Sequence, residues 1–270
     1  MTTVNELLNH VTQIAFVTLG ILTLIDYLRL GGRVRRDTAL MFASLAITVV
    51  IGVIIQLLGA PQPLLGLVSV LSITAQPYLL IRLVRYFGPI PSSISIGALV
   101  GMISSWFILI FVPAPIPTVL IVAIVLYFVI IDGYAMTAFI RGALRTSGVV
   151  QRRLRFGAAG SGLLAMALFW IGISVVVPSQ QPVGASFIQI SAIGSAFSFY
   201  LGLVSPQWLR QTWQFSELHQ FLLQVTRSTQ PATAAAVYNV LCHGTLKVTG
   251  GSQANILLKQ ESPARWMLHN

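Results

Sequence analysis

The chain has 270 residues, of which 56% are hydrophobic and 8% charged, and its mean hydropathy is +0.84. A soluble domain carries roughly 25% charged residues, so the composition excludes a solvated globular surface and indicates a membrane protein. Sixteen basic residues against six acidic ones give a net charge of +10; the placement of those cations separates nucleic-acid binding from the positive-inside bias of membrane proteins.

In chain order, Asn5, Glu6, Asn9 and His10 precede an apolar run that lacks a basic lead-in and is long enough to span, so a cleavable signal peptide is not expected. About 20 apolar residues cross a bilayer as a helix. Seven such stretches are read, at 11–30, 38–58, 64–84, 93–112, 118–140, 156–177 and 186–204. They are continuous rather than alternating in hydropathy, which selects helices over a barrel. The connectors after the second, fourth and sixth spans are rich in proline and contain no Lys or Arg. The ends of the first, third and fifth spans and the connectors after them hold Arg29, Arg33, Arg35 and Arg36, then Arg82 and Arg85, then Arg141, Arg145, Arg152, Arg153 and Arg155. This alternation predicts an all-α integral membrane protein: a seven-helix bundle with the N-terminus outside and the C-terminus in the cytoplasm. The arginines have no aromatic interleaving, so the lipid bilayer is the expected partner and nucleic acid is not.

Ionisable groups inside a bilayer are costly and mark functional candidates. Asp26 lies three residues before Arg29, a separation that suits a local ion pair. Asp132 lies nine residues before Arg141, about 13 Å below that end of its helix. It must therefore be neutral, hydrogen-bonded or paired with another span, in a signalling or ligand role or as interhelix glue. Gln76-Pro77 places a kink in the third span. Gln76 and Gln189, with Trp106, Trp170, Tyr127 and Tyr134, are candidates to line a pocket. Gly97 with Gly101, and Gly194, Ser198 and Gly202, have the four-residue spacing that permits close helix approach.

No metal, haem or other cofactor is expected. The four histidines, His10, His219, His243 and His269, share no helical spacing, and Cys242 is the single cysteine. The first lysine is Lys247, beyond every span, which excludes a retinal Schiff base.

After residue 204 the long apolar runs stop. Residues 206–230 read as a cytoplasmic connecting helix, with Trp208, Arg210 and Trp213 as interface anchors. Phe215, Leu218, Leu222 and Val225 follow at spacings of 3, 4 and 3 and form a heptad seam, suited to a homodimer or to lying on the membrane. Residues 231–249 read as a helix, 253–259 and 265–269 as strands, and 260–263 as the turn between them. One helix and a hairpin are too small to be stable alone, so the tail looks like the beginning of a domain.

That tail resembles the opening of a GAF domain, through Ala234-Ala235-Ala236-Val237, Gly250-Gly251 and Ala254-Asn255-Ile256-Leu257-Leu258. The segment Pro206-Gln207-Trp208-Leu209-Arg210-Gln211-Thr212-Trp213 is similar to the exit from seven-helix input modules of bacterial sensor histidine kinases. The resemblance implies a sensor at 1–205 in the cell (inner) membrane, a signalling helix at 206–230 and a partial GAF-like segment at 231–270. A cytoplasmic kinase or other output domain would be the partner. The family's phosphoacceptor and ATP-binding boxes have no counterpart here, so the chain is not expected to be an enzyme. The competing expectations are a small seven-helix transporter, or a truncated assembly partner with no activity of its own.

Overall fold

The computed structural model describes residues 2–59, 62–113, 115–177, 179, 181–204, 242, 256–259 and 266–269. Its helices are α1 (Thr2–Leu30), α2 (Arg33–Leu58), α3 (Pro63–Val84), α4 (Ser92–Phe111), α5 (Thr118–Arg145), α6 (Gly148–Val176) and α7 (Gln181–Phe199). A π-helical turn, Tyr200–Val204, continues α7. All seven helices are long and apolar enough to cross a membrane, the architecture of a multi-pass membrane protein.

The ends of the helices follow local chemistry. Gly31 and Gly32, at φ 62° and 98°, turn the chain between α1 and α2 in two residues, a conformation that side chains with a Cβ resist. Gly59, at φ 64°, closes α2 in the left-handed region. Pro63 is the first residue of α3, where its missing N–H is not needed. The arginine-bearing connectors after α1 and α5 are largely helical, whereas residues 85–91 after α3 form turns and irregular chain. α2 begins at Arg33, α5 runs to Arg145 and α6 starts at Gly148, each beyond the expected apolar boundary. The cause is that the bilayer selects the apolar length but does not stop the backbone ladder, which continues among headgroups.

Consecutive helices pack against one another, and α1 meets α7 to close the ring. α3 also reaches α5 directly, leaving α4 at the rim with only Ala98 and Ser105 buried. Phe42, Leu80, Phe139 and Phe199 are fully buried at the centre, and Phe42 meets Phe199 edge-on at 5.8 Å. Lipid offers such side chains an equally apolar environment, so small residues and close backbone contact organise the association. Gly160 receives the Phe199 ring, Gly101 the Tyr127 ring and Gly194 the Leu163 side chain. Gly97 faces open space instead. α3 runs unbroken through Pro77, whose ring removes the hydrogen bond to the Ile73 carbonyl.

In the tail, β1 (Ile256–Lys259) and β2 (Trp266–His269) pair antiparallel, with Leu257 opposite Leu268 and Leu258 opposite Met267. The strands expected at 253–259 and 265–269 thus contain four paired residues each. The turn at 260–263 lies outside the described residues, as does the helix expected at 231–249 apart from Cys242.

Candidate functional site

Two polar side chains meet at the seam of α3 and α5. Gln76 and Asp132 are both fully buried, and the Gln76 side chain lies within interaction range of the Asp132 carboxyl. No donor–acceptor pair between them reaches hydrogen-bond geometry. Both carboxylate oxygens of Asp132 and both amide atoms of Gln76 are without a hydrogen-bond partner among the described residues. Nearby groups are already engaged: the Tyr127 hydroxyl donates to the Ala98 carbonyl at 3.0 Å, and Trp106 Nε1 donates to Leu71 O at 3.1 Å and Thr74 Oγ1 at 3.0 Å. Of the three states open to Asp132 from sequence, no hydrogen bond or ion pair is formed among the described residues; the span that faces it is α3, through Gln76.

Because unpartnered buried polar groups are costly, this pair is expected to weaken the fold it sits in. The double variant Gln76→Leu/Asp132→Leu is expected to be more stable than the parent by about 1–3 kcal/mol in detergent unfolding. A loss of stability would instead mark the pair as interhelix glue.

A second polar cluster gathers where the arginine-bearing connectors converge. Asp37, on the first turns of α2, is 1% exposed. Its carboxylate accepts from Arg82 Nη2 at 2.6 Å, from Arg36 Nε at 3.2 Å and from the Tyr86 hydroxyl at 3.0 Å. This network ties α2 to the end of α3, and sequence reasoning missed it. Asp37 stands among four arginines, one residue ahead of the expected span, and so reads as part of a solvated connector. The available signal was a carboxylate bordering a long apolar run in an otherwise wholly basic connector.

Asp26 pairs differently from expectation. Its partner is Arg35, at 3.0 Å across the glycine turn, rather than Arg29 on the same helix. The tight turn at Gly31-Gly32 folds α2 back along α1, which brings Arg35 to the carboxylate. Arg35 also donates to the Gly31 carbonyl at 3.3 Å.

At the same end, Arg153 of α6 holds the π-helical turn. Its Nε donates to the Gly202 carbonyl at 2.9 Å and its Nη2 to the Leu203 carbonyl at 3.2 Å. Gly202 lies so close to α6 that a Cβ there would stand 2.9 Å from both Arg153 O and Gly157 N. The small-residue motif of the seventh span therefore serves packing inside the bundle, together with Ser195, whose hydroxyl donates to the Gly160 carbonyl at 2.8 Å.

The remaining candidates are not brought into one pocket. Gln189 accepts from Thr12 Oγ1 at 2.9 Å and donates to Asn9 Oδ1 at 3.4 Å, joining α7 to α1. Trp170 stacks on Phe187 at 5.2 Å, and Tyr134 lines a separate cavity of about 100 Å³ beside Phe87 and Arg141. Their positions depend on which helix faces meet, and span composition does not encode that. The anchors Trp208, Arg210 and Trp213 and the seam Phe215, Leu218, Leu222 and Val225 lie outside the described residues.

The fold and these clusters define a seven-helix, multi-pass class of membrane protein with buried polar groups at two depths. Comparison with protein-family models, with characterised proteins and with solved structures finds no match to this chain.

Proposed function

We propose that the chain is the signal-input module of a two-component-type membrane protein. In this reading it lies in the cell (inner) membrane, N-terminus outside and C-terminus cytoplasmic. It passes a stimulus through residues 206–230 to a GAF-type or kinase output, and it acts as a homodimer. The observation that carries the proposal is the π-helical turn at Tyr200–Val204, held by Arg153 at the end of the seventh span. Single π turns within helices are frequent at functional sites. Conversion of such a turn to α geometry offsets the following helix by one residue, a rotation of about 100°. Arg153 binds the two carbonyls concerned, so a shift of α6 against α7 biases the π and α arrangements differently. The uncompensated Gln76–Asp132 pair supplies a second place where two arrangements of the bundle would differ in energy.

The test joins residues 1–230 to the catalytic core of a reporter histidine kinase. Arg153→Gln is expected to change the reporter's output, and Leu218→Asp with Leu222→Asp to uncouple it, while membrane insertion persists. Equal output from all three proteins would refute the reading, and solute flux in vesicles holding the purified chain would favour a transporter.

The orientation has its own measurement. Cys242 is the single cysteine in the sequence. With the tail in the cytoplasm, an impermeant maleimide is expected to leave Cys242 unlabelled in intact cells and to label it in inverted membrane vesicles. Labelling in intact cells would reverse the topology.

A further inference from the structure

A cleft of about 390 Å³ opens between the Gly31-Gly32 turn, the start of α6 and the π-helical end of the seventh span. That volume is within the range of small-ligand sites. Arg33, Arg35 and Arg153 line it, against the one acidic lining residue, Asp26. Arg35 is engaged by Asp26 and Arg153 by the carbonyls of Gly202 and Leu203. Arg33 is exposed and has no hydrogen-bond or ion-pair partner among the described residues. Leu30, Leu203 and Val204 supply apolar wall beside the charges.

We propose that this cleft binds a phosphate-bearing anion, with a phospholipid headgroup as the favoured source. The guanidinium fork matches phosphate oxygens and remains charged at any physiological pH. The excess of cations over Asp26 leaves the cleft positive, and basic pockets between spans are suited to anionic headgroups. The apolar wall favours the lipid over free phosphate, since it would accompany the upper part of an acyl chain. A bound phosphate would link the α1–α2 turn to Arg153, competing with the two carbonyls for its guanidinium. Binding itself does not depend on the signal-input reading, and its measurement uses no signalling readout.

The full chain in a neutral detergent is titrated with short-chain phosphatidylglycerol, short-chain phosphatidylcholine and inorganic phosphate. Thermal protection and native mass spectrometry report binding. The expected result is one saturable phosphatidylglycerol, with phosphatidylcholine at least tenfold weaker. Arg33→Gln, at an exposed position that the fold does not need, is expected to weaken binding by about tenfold. Asp26→Asn removes the opposing charge and is expected to tighten it several-fold. Inorganic phosphate binding with the same dependence on Arg33 would support the site and make soluble phosphate its ligand. Arg85→Gln, on a different connector and outside the cleft, is the control. Equal weakening by Arg85→Gln and Arg33→Gln would reveal only surface charge and overturn the proposal, as would the absence of saturable binding by either anion.

Discussion

Replacing Arg82 by Met is expected to cost about 3 kcal/mol of stability, the lower end of the range for removing one partner of a buried ion pair. The Asp37 side chain is 2% exposed, whereas that of Arg82 is 30% exposed. Without Arg82 the carboxylate stays buried with only Arg36 at 3.2 Å and the Tyr86 hydroxyl at 3.0 Å. The reverse change, Asp37→Asn, leaves a partly exposed guanidinium that can turn toward headgroups and water. It is expected to cost about 1.5 kcal/mol, the lower end of the worth of a hydrogen bond to a charged group. Unfolding titrations in mixed micelles measure both. If Asp37→Asn is the more damaging change, burial is not what sets the energy of this network. A double variant with both residues apolar should recover much of the loss, because it leaves neither charge uncompensated.

The second large effect belongs to Gly202. A Cβ there would meet backbone on two sides, at Arg153 O and Gly157 N, and the Phe156 Cβ at 3.1 Å on a third. Backbone cannot swing aside as a long side chain can, so Gly202→Ala must push the π turn away from α6. A cost of about 2–3 kcal/mol is expected, in the upper part of the range for overpacking. The Arg153 hydrogen bonds should lengthen with it. Gly162 is the comparison, since its Cβ would meet Met136 Sδ at 2.7 Å, the flexible part of an adaptable side chain. Gly162→Ala is expected to cost less than about 1 kcal/mol. Thermal unfolding of the two variants in the same detergent decides the matter; similar losses would mean that the α6–π contact is as yielding as a methionine.

Both effects act at the arginine-rich end, and both concern contacts that span composition does not specify. Asp37 is instructive because its neighbours Arg33, Arg35 and Arg36 do follow the expected charge pattern. Its role emerges only when the end of α3 brings Arg82 beside it, with Tyr86 just past the helix; these lie 45 and 49 residues further along the chain. Asp26 makes the same point at shorter range. Helical spacing offered Arg29, and a two-residue glycine turn delivered Arg35. Gln76 and Asp132 were legible as candidates because polar groups within apolar runs stand out. That they face each other was not legible, since it depends on α3 reaching past α4 to α5.

What the sequence by itself determined is the number of spans, their approximate limits and the gathering of arginine at alternate connectors. These are one-dimensional properties: a bilayer responds to the length and apolarity of a segment and to the charge beside it, whatever the segment's neighbours. The tertiary structure decided which polar group each buried polar group meets, where helices touch closely enough to need glycine, and that the seventh span ends in a π turn under Arg153. Lipid and protein interior are almost equally apolar, so hydropathy carries little information on which face of a helix turns inward. That choice is made by the fit of small residues to rings and by a few hydrogen bonds, and both exist only once the helices are packed.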